Sequence, residues 1–498
     1  MTKTAEGKTR SKTLPLTAVA ALLMLAALDQ TIVTTALPKI VSDLGSLDQL
    51  SLVVTSYLLT ATISAPIYGK MGDIFGRKAM IQVAIIIFIC SSLLAAMAQN
   101  MTWILIARAA QGLGGGGLFV LAFTVVGDII PSRERGKVQG LFAVVFGLSS
   151  ILGPLLGGFF VDELTWHWIF LINIPVGILA LIILQLSFKT KVAKVNFSPD
   201  YFGILLLALV IGSLILITTV GSNGSYWGTT NFNLLCAVCL ISAVCFIFVE
   251  LNAKDAIVPL NLFRINNFWV YSAIGLISSS ILFSVLTFIP FYLQIVKDFS
   301  PTRSGFQIIT LTAGISFGAI ISGIIMTKTG KYKLIPFIGA IFLTFGLLLM
   351  SSLDEATTPH ALTIYLSIIG FGLGPQLSVI TTAIQNSAPP KQLGVATSTL
   401  TLLRQVGSSV GVTCLTWLFI SQYKKDLFYN QSVESEILDQ ALSLRSLSHI
   451  SESDGTIIRG ALTHGIQIIF FVSAIMSMVI IILSLIAKEI ELKAQLDT

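Results

Sequence analysis

Apolar stretches long enough to cross a bilayer recur along the whole chain, at roughly 14–37, 50–69, 79–98, 102–127, 137–160, 167–187, 200–220, 230–250, 267–293, 304–326, 334–351, 360–385, 396–420 and 463–486. No other feature limits the fold as tightly. A helix rises about 1.5 Å per residue, so about 20 apolar residues span the hydrocarbon core. Fourteen such runs predict an all-α polytopic membrane protein of fourteen transmembrane helices. The composition agrees, with 11% charged residues where soluble chains carry about a quarter.

The charges that remain sit mostly in the short connections. With the N-terminus inside, the inner connections hold Lys70, Arg77 and Lys78, then Arg133, Arg135 and Lys137, then Lys189, Lys191 and Lys194, and later Lys328, Lys331 and Lys333. The outer ones hold only Lys39, Lys297 and Arg303. This bias predicts both termini in the cytoplasm. The net charge of +6 therefore reports topology, and no nucleic-acid partner is expected. The run after Lys3, Lys8, Arg10 and Lys12 is too long for a signal h-region and is expected to stay as the first span. Cys90, Cys236, Cys239, Cys245 and Cys414 lie in apolar runs without companion ligands, so no metal site is expected.

An internal repeat organises the spans. Gly69 and Gly76 lie seven apart ahead of Arg77 and Lys78, and Gly323 and Gly330 lie seven apart ahead of Lys331. Pro131 to Gly136 is matched by Pro389 to Gly394. The predicted layout is a cytoplasmic tail 1–13, a six-helix bundle 14–187, two inserted helices in 188–266, a second six-helix bundle 267–486 with an outer loop 421–460, and a tail 487–498. Within the outer loop, Ile437, Leu438, Ala441, Leu442 and Leu444 could form an amphipathic surface helix, although an ordinary loop is the simpler expectation.

The first span holds one ionisable side chain, Asp29. A carboxylate in hydrocarbon is costly and usually faces a cavity, a partner or a proton path. In the fourth span Arg108 and Gln111 lie three apart and share a helix face, and an always-charged guanidinium there needs a partner or water. Burial disfavours ionised Asp29 and Arg108 would favour it, which could leave the acid able to take and release a proton. The equivalent position in the second bundle falls near Ile281, and spans nine to fourteen hold no deep Asp or Glu. Tyr57, Gln111, Phe119, Phe123, Gln294 and Gln376 are candidates for a cavity wall around Asp29.

Other patterns concern helix contacts. Gly69, Gly72 and Gly76 allow a tight turn where Asp73, Arg77 and Lys78 can form charge-assisted pairs, with Asp128 as a partner for Arg77. Gly153, Pro154, Gly157 and Gly158 form a kinked small-residue face in the fifth span, with Gly407 and Gly411 as a counterpart in the thirteenth. Close packing of those two spans on each other is expected. Trp166 and Trp168 flank His167 as part of an outer aromatic belt.

Taken together, Leu28-Asp29-x-Thr31-Ile32-Val33, the Gly-x-x-x-Asp-x-x-Gly-Arg-Lys loop from Gly69, Arg108-x-x-Gln111-Gly112 and Gly153-Pro154-x-x-Gly157-Gly158 resemble the fourteen-span drug:proton antiporter branch of the major facilitator superfamily. The resemblance implies a proton-coupled antiporter in the cell membrane exporting amphipathic or cationic small molecules by alternating access. It has no cofactor beyond the coupling proton and works as a monomer. It makes Asp29 and Arg108 the proton-coupling residues, the Gly69–Lys78 loop with Asp128 a cytoplasmic gate, and the Gly153 segment the antiporter signature. The family usually has arginine at the position of His167 and glycine at that of Asp298. A dedicated exporter of one endogenous amphiphile remains an alternative, and a membrane sensor a remote one. An enzyme is not expected, since no nucleophile or metal cluster stands out.

Overall fold

A computed structural model describes residues 13–44, 50–187, 200–221, 229–253, 256–299, 301–354, 356–429 and 452–492. The described residues are helices joined by short turns. They run α1 (Thr13–Leu44), α2 (Leu50–Phe75), α3 (Arg77–Ala96), α4 (Met101–Ile129), α5 (Ser132–Glu163), the single turn α6 (Trp168–Leu171), α7 (Asn173–Ser187), α8 (Tyr201–Gly221) and α9 (Thr230–Asn252). The second half holds α10 (Asn266–Phe291), α11 (Pro301–Thr329), α12 (Leu334–Met350), α13 (Pro359–Ser387), α14 (Leu393–Tyr429) and α15 (Glu452–Ile486). With α6 and α7 forming one span, these are the fourteen expected spans.

The outer polar interval is narrower than expected, because α14 runs on to Tyr429 and α15 begins at Glu452. The possible surface helix from Ile437 to Leu444 lies outside the described residues, as do Lys189, Lys191 and Lys194.

By packing, the chain divides into two compact units. The first holds 1–130 and 148–196, and the second holds 131–147 and 197–498. In the first, α4 is the central helix, and its glycines explain why. A Cβ on Gly112 would meet the Tyr57 carbonyl, one on Gly116 the Ala61 carbonyl, and one on Gly114 would lie 2.7 Å from the Ala84 carbonyl. α4 therefore lies with its backbone against both α2 and α3, as small residues permit between membrane helices. Thr60 Oγ1 donates to the Ala109 carbonyl at 2.7 Å across the same seam.

The second unit repeats this device. Gly314 and Gly318 of α11 face Ser367 and Phe371 of α13, while Gly370 and Gly374 of α13 face Leu311 and Ile315 of α11. Gly372 of α13 closes on Gly339 of α12. In the same unit a Cβ on Gly323 would lie 2.6 Å from the Gly136 carbonyl carbon, and Arg133 donates to the carbonyls of Thr327 and Lys328, both at 2.6 Å.

Two turns show the repeat in backbone geometry. Gly76 between α2 and α3 has φ 90°, and Gly330 between α11 and α12 has φ 71°. Both positions need a left-handed residue, which glycine supplies without a Cβ clash. The end of α10 departs from a simple stop. A π-turn runs over Tyr292–Val296, and Asp298 follows at φ 52°. Aspartate tolerates this region better than most side chains, which accounts for its standing where relatives usually carry glycine.

Candidate functional site

Asp29 lies at the centre of the first unit, with its side chain 0% exposed. Helices α4 and α7 bring donors to it, and α3 supports them. From α4, Arg108 Nη1 donates to Oδ2 at 2.7 Å and Gln111 Nε2 to Oδ1 at 2.8 Å. From the first residue of α7, Asn173 Nδ2 donates to Oδ1 at 2.7 Å. Ser92 of α3 accepts from Gln111 at 2.8 Å and from Asn173 at 3.4 Å. Arg108 also donates to the Gln111 side-chain oxygen Oε1 at 2.5 Å and from Nε to the Val53 carbonyl at 3.4 Å, and its guanidinium stands 4.4 Å over the Tyr57 ring.

Among the described residues, every hydrogen bond to the Asp29 carboxylate is donated to it, three in all. This arrangement holds the ionised carboxylate and compensates its burial through charge-assisted bonds. Ile32, Val33, Val53, Ile104, Ala107 and Phe170 are buried around it.

Of the residues expected on the cavity wall, Tyr57 and Gln111 join this cluster but are buried, at 1% and 0% exposure. They close over the acid instead of facing open space. Phe119 and Phe123 are half-buried roughly two and three turns further along α4. In the second unit Gln294 is exposed and donates to Ser304 at 3.0 Å. Gln376 is fully buried and donates to the Pro336 carbonyl of α12 at 2.8 Å, a helix-packing contact.

The loop from Gly69 forms a second cluster in the first unit. Gly69 is buried, and Arg77 bridges Asp73 and Asp128, the latter at 2.9 Å. A Cβ on Gly72 would lie 2.8 Å from Arg77 Nη1, so the glycine makes room for the guanidinium. Lys78 donates to the Gln185 carbonyl at 3.4 Å.

The glycine face of α5 needs a correction. Gly153 closes on Thr31, and a Cβ on Gly157 would lie 3.0 Å from the Ile32 carbonyl and 3.1 Å from Thr35 Cβ, so this face seats α1. The counterpart on α14 seats α10, with Gly407 against Leu276 and Gly411 against Ser280. Each pair serves its own unit, because the groove a small residue leaves is filled by the nearest helix. Gly158 faces open space and Pro154 is exposed. Thr31 also donates to the Ser149 carbonyl at 3.0 Å, fixing α1 two residues beyond Asp29.

Three residues here were not assigned to a site from sequence, although Asn173 stands in the segment that opens the sixth span after Trp166 and Trp168. Asn173 and Ser92 complete the Asp29 cluster, and each is a polar group within an apolar run. Arg404 of α14, a second intramembrane guanidinium, is also new. Glu250 is a further buried carboxylate, but it lies at the end of α9 and accepts from the Val258 N–H at 3.3 Å, closing the turn toward α10.

Comparison with known proteins places this geometry. The Major Facilitator Superfamily model matches residues 19–412. The chain is 38% identical over 413 residues to the multidrug transporter protein MdtP of Bacillus subtilis, covering 82% of this chain and 76% of that one. It is 35% identical over 391 residues to multidrug resistance protein 3 of the same organism, covering 78% and 76%. The human organic anion transporter MFSD10 superposes with a TM-score of 0.65 at 13% identity, over 96% of this chain and 100% of that one. The chain belongs to the major facilitator superfamily. It is a multi-pass membrane transporter.

Proposed function

We propose that the chain exports amphipathic or cationic small molecules in exchange for protons by alternating access, with Asp29 carrying the coupling proton. The observation behind this reading is the Asp29 cluster, a buried acid to which all three partners donate. A protonated carboxyl must donate one hydrogen bond, and none of the groups now facing Asp29 is an acceptor. Protonation therefore forces the cluster to repack. Asn173 Oδ1, buried and without a partner among the described residues, is the acceptor that an amide flip would supply.

Substrate and proton then bias one two-state equilibrium in opposite directions. The ionised cluster holds α1, α3, α4 and α7 together, and the protonated one loosens them. The Arg77 bridge to Asp73 and Asp128 is the matching latch at the expected cytoplasmic face, and both termini are assigned to that side. The similarity to two bacterial multidrug proteins supports small amphiphiles as cargo.

The test is transport of a fluorescent cationic drug into everted vesicles under an imposed proton gradient. The wild type is expected to accumulate the dye and to lose it on adding a protonophore. Asp29→Asn is expected to insert and purify normally while losing gradient-driven uptake. Full activity in that variant would remove Asp29 from the mechanism.

A further inference from the structure

Arg108 is neutralised by Asp29, but the second unit holds a guanidinium in a comparable setting without a counter-charge. Arg404 lies about 12 Å into the apolar run of α14 that starts near residue 396. Its hydrogen bonds go only to neutral acceptors on α13, namely Thr381 Oγ1 at 3.2 Å and the carbonyls of Gln376 and Leu377 at 3.3 Å. Nε is buried with no partner among the described residues.

Four described acids of the second unit are engaged elsewhere. Asp298 pairs with Arg459, Asp426 with His464, Glu489 takes the Tyr332 N–H, and Glu250 takes the Val258 N–H. Among the described residues no carboxylate reaches Arg404. A guanidinium stays charged, and the hydroxyl and carbonyls of α13 solvate this one without neutralising it.

The side chain is not sealed off entirely. Arg404 is half-buried, so part of the side chain is accessible. On α10 it faces Gly275, where a Cβ would lie 3.8 Å from its Cγ and Nε.

We propose that Arg404 binds the anionic group of an amphiphile, a carboxylate or phosphate, with Nε and the guanidinium fork as donors. This rests on the reading of the chain as an amphiphile exporter and names a charge its substrates carry. Substrates with an acidic or zwitterionic head would fit it.

The test measures binding alone, so it stands apart from proton coupling. Full-length protein is placed in nanodiscs of phosphatidylcholine and titrated with a dansyl-tagged long-chain fatty acid and with its methyl ester. The acid is expected to bind about tenfold more tightly than the ester, as a charge-assisted bond implies. Arg404→Gln is expected to bring that ratio to about one, and Arg404→Lys, which lacks the fork, to lower it at least about threefold.

Repeating the titration with phosphatidylglycerol in the discs separates the sources. A wild-type preference that collapses there, with no change in Arg404→Gln, identifies a lipid headgroup as occupant of the same anion site. A preference that persists identifies the free amphiphile. Equal binding of acid and ester by the wild type would overturn the proposal, as would an acid preference kept by Arg404→Gln. If that variant does not purify monodisperse, an unchanged preference in Arg404→Lys overturns it. A failed exporter reading would show differently, as binding without gradient-driven transport.

Discussion

Arg108 Nη1 meets Asp29 Oδ2 at 2.7 Å with the two side chains 2% and 0% exposed, so neither charge shares its burial with water. Removing one partner of such a pair leaves the other unpaired, at a cost of about 3–5 kcal/mol. Arg108→Ala is therefore expected to destabilise the protein by that amount. The double variant Asp29→Asn/Arg108→Gln should cost clearly less than the two single changes summed. A double-mutant cycle on unfolding in detergent measures this, and strict additivity would show that the pair is not coupled.

Asn173 donates to the same Asp29 oxygen as Gln111. Asn173→Leu keeps the approximate volume and removes both the donor to the carboxylate and the Oδ1 acceptor that a flipped amide would offer, and the charge-assisted bond lost is the stronger of the two. A hydrogen bond to a charged group contributes about 1.5–3 kcal/mol, and one pH unit corresponds to about 1.4 kcal/mol. The pH at which proton-driven transport is half-maximal should thus move upward, by about one unit or less once the lost neutral bond is set against the charged one. Vesicle uptake measured across pH checks this, and an unmoved profile with lowered expression would make Asn173 purely structural.

Much of this was legible in the sequence because the bilayer leaves few solutions. Run length alone located the fourteen spans, and the seven-residue glycine spacing marked Gly76 and Gly330, whose backbones prove to be left-handed. Spacing on one helix face linked Arg108 to Gln111, and the cost of an isolated acid pointed both toward Asp29. Asn173 and Ser92 were not assigned to the site because a single polar residue in an apolar run does not say which helix it faces. The glycines of α5 had the same ambiguity, since a small face predicts a neighbour without naming it, and α1 is that neighbour. Arg404 was findable by the reasoning applied to Arg108, as a guanidinium within a span. Gln376 looked like a cavity residue, but its amide satisfies a carbonyl of α12.

The α5 glycines allow a matched steric test. A Cβ at Gly153 meets Thr31, whereas at Gly158 nothing lies within 4 Å. Gly153→Val should lower stability by about 1–3 kcal/mol or more, as overpacking does. Gly158→Ala should stay within about 0.5 kcal/mol of the wild type. Thermal unfolding of the two purified variants decides it, and equal effects would mean that α1 does not seat on this face.

The charge moved per cycle follows from which acids can titrate. Glu250 is tied to a backbone N–H at the end of α9, which leaves Asp29 as the one buried carboxylate within a described span placed to exchange a proton. One proton entering for one monovalent cation leaving moves no net charge, so export of such a cation should respond to a pH gradient and ignore an imposed voltage. For an amphiphile with an anionic or zwitterionic head, the class that Arg404 would recognise, the same single proton makes the exchange electrogenic and voltage should drive it. Proteoliposomes with each gradient imposed separately, assayed with a monocationic dye and then with an acidic one, measure both cases. Voltage-driven movement of the monocation would require a second coupling proton and a second titrating group. Equal indifference of both dyes to voltage would mean that Asp29 does not set the stoichiometry.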